Sequence, residues 1–291
     1  MRAGLSVIDA AQLPAVIHAA STVRGVPRLP ESSTTVAPKG ISFVIPAYNE
    51  EHRLRPTLEA YLTVLERLSL PFEVVVVVSG TDATAAVSNS YHARGVRTVH
   101  SATRMGKGKA ILNGFRVSRY RIVAYADADG SVPPQDVERL LRMAIDGDRC
   151  IFASRRIEPG TVWVREPAPK YFASNIWHAL VRLLLDIPLR DAECGFKIIT
   201  KDLAERIVSD VTVTNWVFDV TMILHLRSYG EVLKEVPVNY RYDHKSHMKL
   251  VRTAPVMFVC LIAVFLTNRP RIRRLLPMKF LRIMNQRFGA E

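Results

Sequence analysis

Cysteine is scarce in this sequence. Its 291 residues include three cysteines, Cys150, Cys194 and Cys260, which lie far apart and in no Cys-x-x-Cys or Cys/His ligand spacing. A disulfide framework and a structural zinc site are therefore not indicated. Free thiols of this kind are typical of a protein that works in a reducing compartment.

The N-terminus has no long apolar run. Arg2 supplies a positive charge, but Asp9, Gln12, Pro14 and His18 interrupt the hydrophobic residues before they reach the length of a signal-peptide core. We therefore expect the protein to stay on the cytoplasmic side of a membrane. The sequence also has no internal repeat, and no spacing of its glycines and lysines matches the phosphate-binding loop of ATPases.

Acidic residues are absent from the stretch 249–290, which contains nine cations. These are Lys249, Arg252, Arg269, Arg271, Arg273, Arg274, Lys279, Arg282 and Arg287. Apolar residues alternate with the cations, a mixture that favours an anionic membrane surface, and not nucleic acid, as the partner. The apolar run 253–268 would span about 24 Å as a helix, against roughly 30 Å for a bilayer core. We expect an in-plane or re-entrant segment, with a full crossing disfavoured.

A regular alternation of short apolar runs and amphipathic segments follows Gly40. Strands are predicted at 41–45, 72–78, 96–100, 122–126, 150–153 and 232–240, and helices at 55–68, 84–93, 107–117, 135–145, 171–185 and up to Tyr229. This order predicts an α/β fold with a mostly parallel sheet covered by helices on both faces. Residues 1–40 are predicted as an extension or linker, 41–250 as the domain and 251–291 as a basic, apolar tail.

Polar clusters follow four of the predicted strands. They read Pro-Ala-Tyr-Asn-Glu at 46–50, Ser-Gly-Thr-Asp at 79–82, Arg-Met-Gly-Lys-Gly-Lys at 104–109 and Asp-Ala-Asp-Gly at 127–130. Ligands of parallel α/β sheets bind beyond the carboxyl ends of the strands. We therefore expect the functional site along this edge.

Asp127 and Asp129 come directly after an apolar strand, with Ala128 between them. Two carboxylates at this spacing reach one divalent cation, which a nucleotide diphosphate needs to neutralise its leaving group. The alternative is an Asp-rich turn that caps the following helix. The position after a buried strand favours a site for Mg²⁺ or Mn²⁺.

The loop before the third predicted helix is basic. Arg104, Lys107 and Lys109 surround two glycines, an arrangement that presents cations and backbone N–H groups to phosphate. A flexible basic turn is the other interpretation of the same residues.

The set of motifs resembles one enzyme family. The residues concerned are Pro46 to Glu51, Gly106 to Ala110, Ala126 to Gly130, Ser154-Arg155, Asp191, Cys194 to Lys197, Trp216 and Phe218-Asp219. Their order resembles that of family-2 glycosyltransferases of the polyprenyl-phosphate type, dolichyl-phosphate glucosyltransferases first and dolichyl-phosphate mannose synthases next, from about Ile41 to Lys249. The resemblance implies a Rossmann-like GT-A fold. It also implies an inverting transfer of a hexose, with glucose as the expected sugar, from a nucleotide sugar to a polyprenyl phosphate in a membrane.

The resemblance also implies roles in the donor half of the site. Pro46, Tyr48 and Glu50 would hold the nucleotide. Asp127 and Asp129 would bind its diphosphate through the metal.

A second set of roles concerns the other half of the site. Arg155 would lie near the donor or acceptor phosphate, and Asp191 and Lys197 would be active-site residues. Ser246 and Lys249 would form the closing pair near the phosphates.

The chain departs from the family pattern after its second strand. The family usually has an Asp-Asp-Gly-Ser cluster there that helps to recognise the base, whereas this chain reads Val77-Val78-Ser79-Gly80-Thr81-Asp82. Ser79 or Asp82 is the available substitute, so the donor stays open between the UDP-glucose and GDP-mannose classes. Thr221 is a second departure, because many relatives have Glu there.

Two other functions compete with the lipid-phosphate hypothesis. Transfer to a sugar hydroxyl would need a general base, for which Asp191 or Glu193 is available. A catalytically silent binding module would keep the fold, but the presence of both Asp127 and Asp129 disfavours it. Asp219, among apolar neighbours, would need a partner if it is buried.

Overall fold

The computed structural model describes residues 37–101, 104–160, 162–164, 168–211, 217–242 and 250–268. Its strands are β1 (Ile41–Tyr48), β2 (Phe72–Ser79), β3 (Val96–Ser101), β4 (Ile122–Ala126), β5 (Cys150–Ser154), β6 (Val162–Val164), β7 (Phe196–Thr200), β8 (Lys234–Pro237) and β9 (Tyr240–Arg241). Its helices are α1 (Glu51–Arg67), α2 (Thr84–Asn89), α3 (Lys107–Val117), α4 (Pro134–Ile145), α5 (Ala168–Leu185), α6 (Lys201–Asp210), α7 (Phe218–Ser228) and α8 (Leu250–Asn268).

One sheet of seven strands, in the order β3-β2-β1-β4-β7-β5-β8, organises the fold. β7 runs antiparallel to its neighbours β4 and β5, and the other pairs in this sheet are parallel. β6 and β9 form a separate parallel pair. The predicted α/β fold with a mostly parallel sheet is confirmed. The chain leaves β1 toward β2 and returns on the other side at β4, so a crevice forms beyond the carboxyl ends of β1 and β4.

The sheet is buried on both faces, and β2 illustrates the cause. Its five consecutive valines, Val74 to Val78, are each at most 2% exposed. Val74, Val76 and Val78 pack in one apolar cluster with α1 and α4, while Val75 and Val77 pack in another with α3, α6 and α7. A continuous apolar run is therefore required here, because successive side chains of a strand point to opposite faces.

Some predicted elements have different bounds in the structure. The helix predicted at 84–93 divides into α2 and a 3-10 turn, His92–Arg94, which Gly95 ends with a φ of 83°. The strand predicted at 232–240 divides into β8 and β9, and β8 ends at Pro237, which has no N–H for the ladder. The helix predicted from 171 begins at Ala168. β7 had not been predicted, because it follows a polar turn and Lys197 interrupts its short apolar run.

α8 includes the apolar run 253–268. Its Met257, Cys260, Leu261 and Val264 are buried, at the i, i+3, i+4, i+7 spacing of one helix face, and they pack in the cluster that contains α7. Among the described residues, no helix combines the length and the apolar character needed to cross a bilayer. The domain bounds and the membrane placement of the tail stay predictions, and residues 269–291 lie outside the described part.

Candidate active site

A cleft lies at the crevice beyond β1, β2 and β4. Its lining residues are Pro46, Ala47, Tyr48, Glu50, Arg53, Ser79, Arg104, Met105, Gly106, Lys107, Ala110, Asp127, Ala128 and Asp129. The cleft thus brings together residues from all four polar clusters. From the cluster at 79–82 it takes Ser79, whereas residues 80–82 do not line it. Seven of the residues predicted to bind the donor line it, namely Pro46, Tyr48, Glu50, Lys107, Asp127, Ala128 and Asp129.

The two aspartates are held at the end of β4 by short local contacts. The N–H of Asp127 donates to the carbonyl of Gly195 at 3.0 Å, which anchors the first aspartate to the turn before β7. Asp129 Oδ1 accepts hydrogen bonds from the N–H and the hydroxyl of Ser131 at 3.0 and 2.5 Å. Burial and the neighbouring Asp127 together raise the pKa of Asp129 above its ordinary value.

These residues fit a divalent cation. Carboxylate oxygens are the ligands that Mg²⁺ and Mn²⁺ prefer, and a cation between Asp127 and Asp129 would relieve the repulsion that raises the pKa of Asp129. In the described part of the chain, no three His, Cys, Asp or Glu residues form a group that could enclose a metal by themselves. Water and the oxygens of a bound diphosphate would therefore have to complete the coordination, as is usual for Mg²⁺ with phosphate ligands.

Lys107 is the first residue of α3 and faces the aspartates. Its Nζ lies 2.8 Å from Asp127 Oδ1 and 4.0 Å from Asp219 Oδ2. Burial opposes the charge of the ammonium, but Asp127 and Asp219 outweigh burial and raise the pKa of Lys107. The N-terminus of α3, preceded by Gly106 in an extended conformation, also opens on the cleft. A helix N-terminus together with an ammonium group favours a phosphate ligand.

The other end of the cleft contains the aromatic ring of Tyr48. The guanidinium of Arg104 lies 4.8 Å from the centre of the Tyr48 ring. Glu50 and Arg53 form a two-point ion pair with distances of 2.6 and 2.5 Å, and both side chains are less than 15% exposed. Ser79, at the end of β2, is 2% exposed. This end combines a ring surface with several hydrogen-bonding groups, which suits a nucleoside.

Asp82 is used differently from the other predicted donor residues. One carboxylate oxygen accepts from the N–H and hydroxyl of Thr84, and the other accepts from the N–H of Glu51 at 3.1 Å. These bonds satisfy the N–H groups of the first residues of α2 and α1, and Asp82 is not among the residues that line the cleft. Its role in binding the nucleotide stays a prediction, and of the two available substitutes Ser79 is the one that faces the cleft.

Arg155 and Asp191 form a buried ion pair in the second half of the molecule. The backbone N–H, Nε and Nη2 of Arg155 donate to Asp191 at 3.0, 2.7 and 2.9 Å, and Asp191 is fully buried. Burial alone would raise the pKa of Asp191, but Arg155 outweighs it and lowers that pKa well below its ordinary value. Tyr240 covers the guanidinium, 4.9 Å from the ring centre. Asp191 is thus an ionised group that holds Arg155 in place.

Glu193 lies close by in a different state. Its Oε1 accepts from the indole N–H of Trp177, on α5, at 2.5 Å. Burial raises the pKa of Glu193 to about 7, with a further contribution from Asp219. This carboxyl therefore changes its charge near neutral pH.

Lys197 lies behind the cleft, on the antiparallel strand β7. It is 1% exposed, and its Nζ donates to Asp219 Oδ1 and to the carbonyl of Cys194, each at 2.8 Å. The hydroxyl of Tyr125, on β4, donates to the same oxygen of Asp219. The prediction that a buried Asp219 has a partner is confirmed. Tyr125 was not predicted as a partner of Asp219. It lies in the apolar strand β4, and nothing in the sequence other than its hydroxyl group indicates a contact with a carboxylate.

The predicted active-site role of Lys197 is not tested by this arrangement, in which its charge is neutralised by Asp219. Phe218 is buried, as predicted for a core residue. Lys249, Ser246 and Trp216 lie outside the described residues, so their predicted roles stay predictions.

The family model for "Glycosyl transferase family 2" matches residues 42–208, which is more than half of the chain. The chain belongs to glycosyl transferase family 2. The resemblance noted from the motifs is confirmed at this level. The match covers the Tyr48, Lys107, Asp127 and Asp129 side of the cleft as well as Arg155 and Asp191.

Two named relatives of this chain are glycosyltransferases. A "Dolichyl-phosphate beta-glucosyltransferase" of Homo sapiens is 32% identical over 222 residues, covering 69% of this chain and 67% of the relative. "Glycosyltransferase AglD" of Haloferax volcanii is 30% identical over 251 residues, covering 84% of this chain and 40% of the relative. The chain therefore spans less than half the length of the second protein.

The fold itself is similar to that of two solved synthases. Mannosyl-3-phosphoglycerate synthase from Rubrobacter xylanophilus has a TM-score of 0.59 at 18% identity, covering 83% of this chain and 78% of that one. Glucosyl-3-phosphoglycerate synthase from Mycobacterium tuberculosis, solved in complex with Mn²⁺, UDP and phosphoglyceric acid, has a TM-score of 0.57 at 18% identity, covering 79% and 78%. At this identity the similarity establishes the GT-A-like fold alone.

Proposed function

We propose that this protein transfers a hexose, glucose, from a nucleotide sugar to a polyprenyl phosphate of the dolichyl type, with Mg²⁺ or Mn²⁺. The observation that carries the proposal is the cleft itself, in which an aspartate pair, an ammonium group and a helix N-terminus surround one place for a diphosphate. The names of the similar dolichyl-phosphate glucosyltransferases support the acceptor and the sugar. The solved complexes of a structural neighbour with Mn²⁺ and UDP support the metal and the nucleotide class.

In the donor half, the nucleoside binds against Tyr48 and Pro46, and the diphosphate lies at the start of α3. Asp127 and Asp129 would hold the cation, which would supply positive charge to the leaving nucleoside diphosphate. Lys107 and the N–H groups of the first turn of α3 add positive charge at the same place. Departure of the diphosphate from one face of the sugar and attack on the other inverts the anomeric centre.

In the acceptor half, the charge of Arg155 is oriented by Asp191. A phosphate monoester is already ionised near neutral pH, so its attack on the anomeric carbon needs positioning and screening of charge and no proton removal. Asp191 suits this reaction because it accepts three hydrogen bonds from Arg155 and has a lowered pKa, which makes it a poor base.

The lipid part of the acceptor is proposed to contact α5. Tyr171, Phe172, Ile176 and Leu183 of this helix expose between 47% and 79% of their surface, and α5 packs beside α8, where Phe258 is also exposed. Exposed apolar side chains on adjacent helices, followed in the sequence by the Arg-rich stretch 269–291, suit the cytoplasmic surface of a membrane, where the protein would be peripheral or monotopic.

A sugar hydroxyl as the acceptor is the second candidate, and Glu193 favours it. A carboxyl with a pKa of about 7 is well matched to remove a hydroxyl proton at neutral pH. This alternative makes Glu193, and not Asp191, the base.

The test uses labelled UDP-glucose and GDP-mannose, each with dolichyl phosphate or with a native glycan acceptor, followed by solvent partitioning of the product. The proposal expects label in the lipid phase from UDP-glucose. It also expects Glu193→Gln to keep the pH–rate profile of the wild type with dolichyl phosphate. Label confined to the glycan, together with loss of the basic limb of the profile in Glu193→Gln, would establish the hydroxyl acceptor instead.

A further inference from the structure

Lys107 stands between two carboxylates of different character. Asp127, on one side at 2.8 Å, is about one third exposed and faces the cleft, whereas Asp219, on the other side at 4.0 Å, is 5% exposed. The Lys107 side chain itself is 17% exposed. Because Lys107 and Asp219 are mostly buried, little water screens their interaction, and the position of the ammonium depends on the charges around it.

Asp219 is itself firmly held. Its Oδ1 accepts from Lys197 and from Tyr125, two buried groups on adjacent strands β7 and β4. The contact with Lys107 is made by the other oxygen, Oδ2. Asp219 therefore offers Lys107 a second, fixed partner behind the cleft.

The ammonium of Lys107 and a divalent cation cannot share Asp127 without bringing like charges together. We propose that Lys107 is an internal counter-ion that competes with the divalent cation for Asp127, and that Asp219 is the positioning residue that receives Lys107 when the cation binds. The inference rests on the metal dependence of the proposed function.

This arrangement has a consequence for the order of binding. Without a donor, Lys107 neutralises Asp127 and reduces its repulsion with Asp129, so the aspartate pair binds cations weakly. When a nucleotide diphosphate binds, its negative charge allows the cation and the Lys107 ammonium to be present in the site at the same time. Lys107 then shifts from Asp127 toward Asp219 Oδ2. Cation and donor then bind cooperatively because each reduces the cost of binding the other.

The test measures Mn²⁺ binding to the full chain without donor, from the electron paramagnetic resonance signal of free Mn²⁺. The variants are Lys107→Met, which removes the competing charge, and Lys107→Arg, which keeps it. Lys234→Met is the matched control. It removes the same charge from a half-exposed lysine on β8, which is paired with Asp148. In Lys107→Met the pair of Asp219 and Lys197 remains, so we expect the fold to persist, as checked by the thermal midpoint.

Lys107→Met should bind Mn²⁺ about tenfold more tightly than wild type, the factor that corresponds to one pKa unit of interaction between adjacent charges. Lys107→Arg and Lys234→Met should both bind within about twofold of wild type, which is small beside that factor. Asp219→Asn should weaken Mn²⁺ binding several-fold when Lys107 is present and should have no further effect in Lys107→Met. A merely structural role of Asp219 would weaken binding in both backgrounds.

Equal or weaker Mn²⁺ binding by a folded Lys107→Met would overturn the inference, and this result decides the matter even if Asp219→Asn does not fold. If wild type binds Mn²⁺ but Lys107→Met binds it no better, only this inference fails. If neither protein binds Mn²⁺ without donor, the inference fails, and the same measurement with UDP present decides whether the metal dependence of the proposed function fails with it. Tight binding by Lys107→Met alone would support the inference in its strongest form.

Discussion

Gly195 gives the sharpest test of how the aspartate pair is positioned. A Cβ atom added at Gly195 would lie 2.1 Å from Asp127 Oδ2 and 2.7 Å from its Cγ. Non-bonded atoms pack at roughly 3.5 Å, so Gly195→Ala must displace the Asp127 carboxylate by about 1 Å or more. Gly195 is outside the left-handed backbone region, so alanine itself causes no backbone strain there.

The displacement should cost activity far more than stability. A shift of about 1 Å in a group that positions the reaction can cost on the order of 100-fold in rate. Overpacking costs roughly 1–3 kcal/mol of the free energy of unfolding, and the lower end applies here because the Asp127 side chain can turn toward the cleft. We therefore expect a large fall in kcat/KM with UDP-glucose and dolichyl phosphate, weaker Mn²⁺ binding and a thermal midpoint lowered by a few degrees.

The control is the same substitution in an Asp127→Ala background, where the carboxylate that would clash is absent. Gly195→Ala should there change neither Mn²⁺ binding nor the remaining activity. Wild-type kcat/KM and Mn²⁺ affinity in the single variant would refute the positioning argument.

Three further predictions follow from the charges of the molecule. Asp129→Asn should lower kcat/KM on the order of 100-fold or more with little change in the thermal midpoint, and near-wild-type rates in saturating Mn²⁺ and Mg²⁺ would contradict the metal site. The folded-state pKa of Glu193 is raised to about 7 from 4.5, so the folded protein binds the proton more tightly and the free energy of unfolding should fall as pH rises from about 4.5 to 7, by at most roughly 1.4 kcal/mol per pH unit. Urea unfolding should show this slope in wild type and not in Glu193→Gln. Deleting residues 269–291, which keeps the packed helix α8, should weaken binding to anionic vesicles in a salt-sensitive way, and unchanged sedimentation with vesicles would be the contrary result.

The buried pair of Arg155 and Asp191 illustrates what sequence reasoning could and could not provide. Both residues were predicted near the reaction, but they lie 36 positions apart and nothing in their spacing indicates a three-bond ion pair. The pair decides that Asp191 is a poor base. The pKa of Glu193 is raised by burial and by Asp219, both of which depend on the tertiary structure, while the hydrogen bond from Trp177 on α5 lowers it.

The network behind the aspartates is a similar case. Asp219 was expected to need a partner, since a lone carboxylate among apolar residues is costly to bury. Its partners Lys197 and Tyr125 became neighbours only because β7 inserts antiparallel beside β4, with Lys197 opposite Tyr125 in the register. Lys197 interrupts the short apolar run of β7, so the sequence did not indicate a strand there, and the insertion beside β4 could not be predicted.

The sequence by itself determined the mostly parallel α/β architecture and the edge of the sheet where the donor cleft lies. It did so because burial on both faces requires runs such as Val74 to Val78, and because the polar clusters after β1 and β4 must meet where the strand order reverses. Only the tertiary structure decided the state of each charge within the site. Three such states are the contact of Lys107 with Asp127, the ion pair of Asp191 with Arg155, and the charge of Glu193 at neutral pH. Each depends on distances of a few ångströms between distant segments and on how much water reaches the groups.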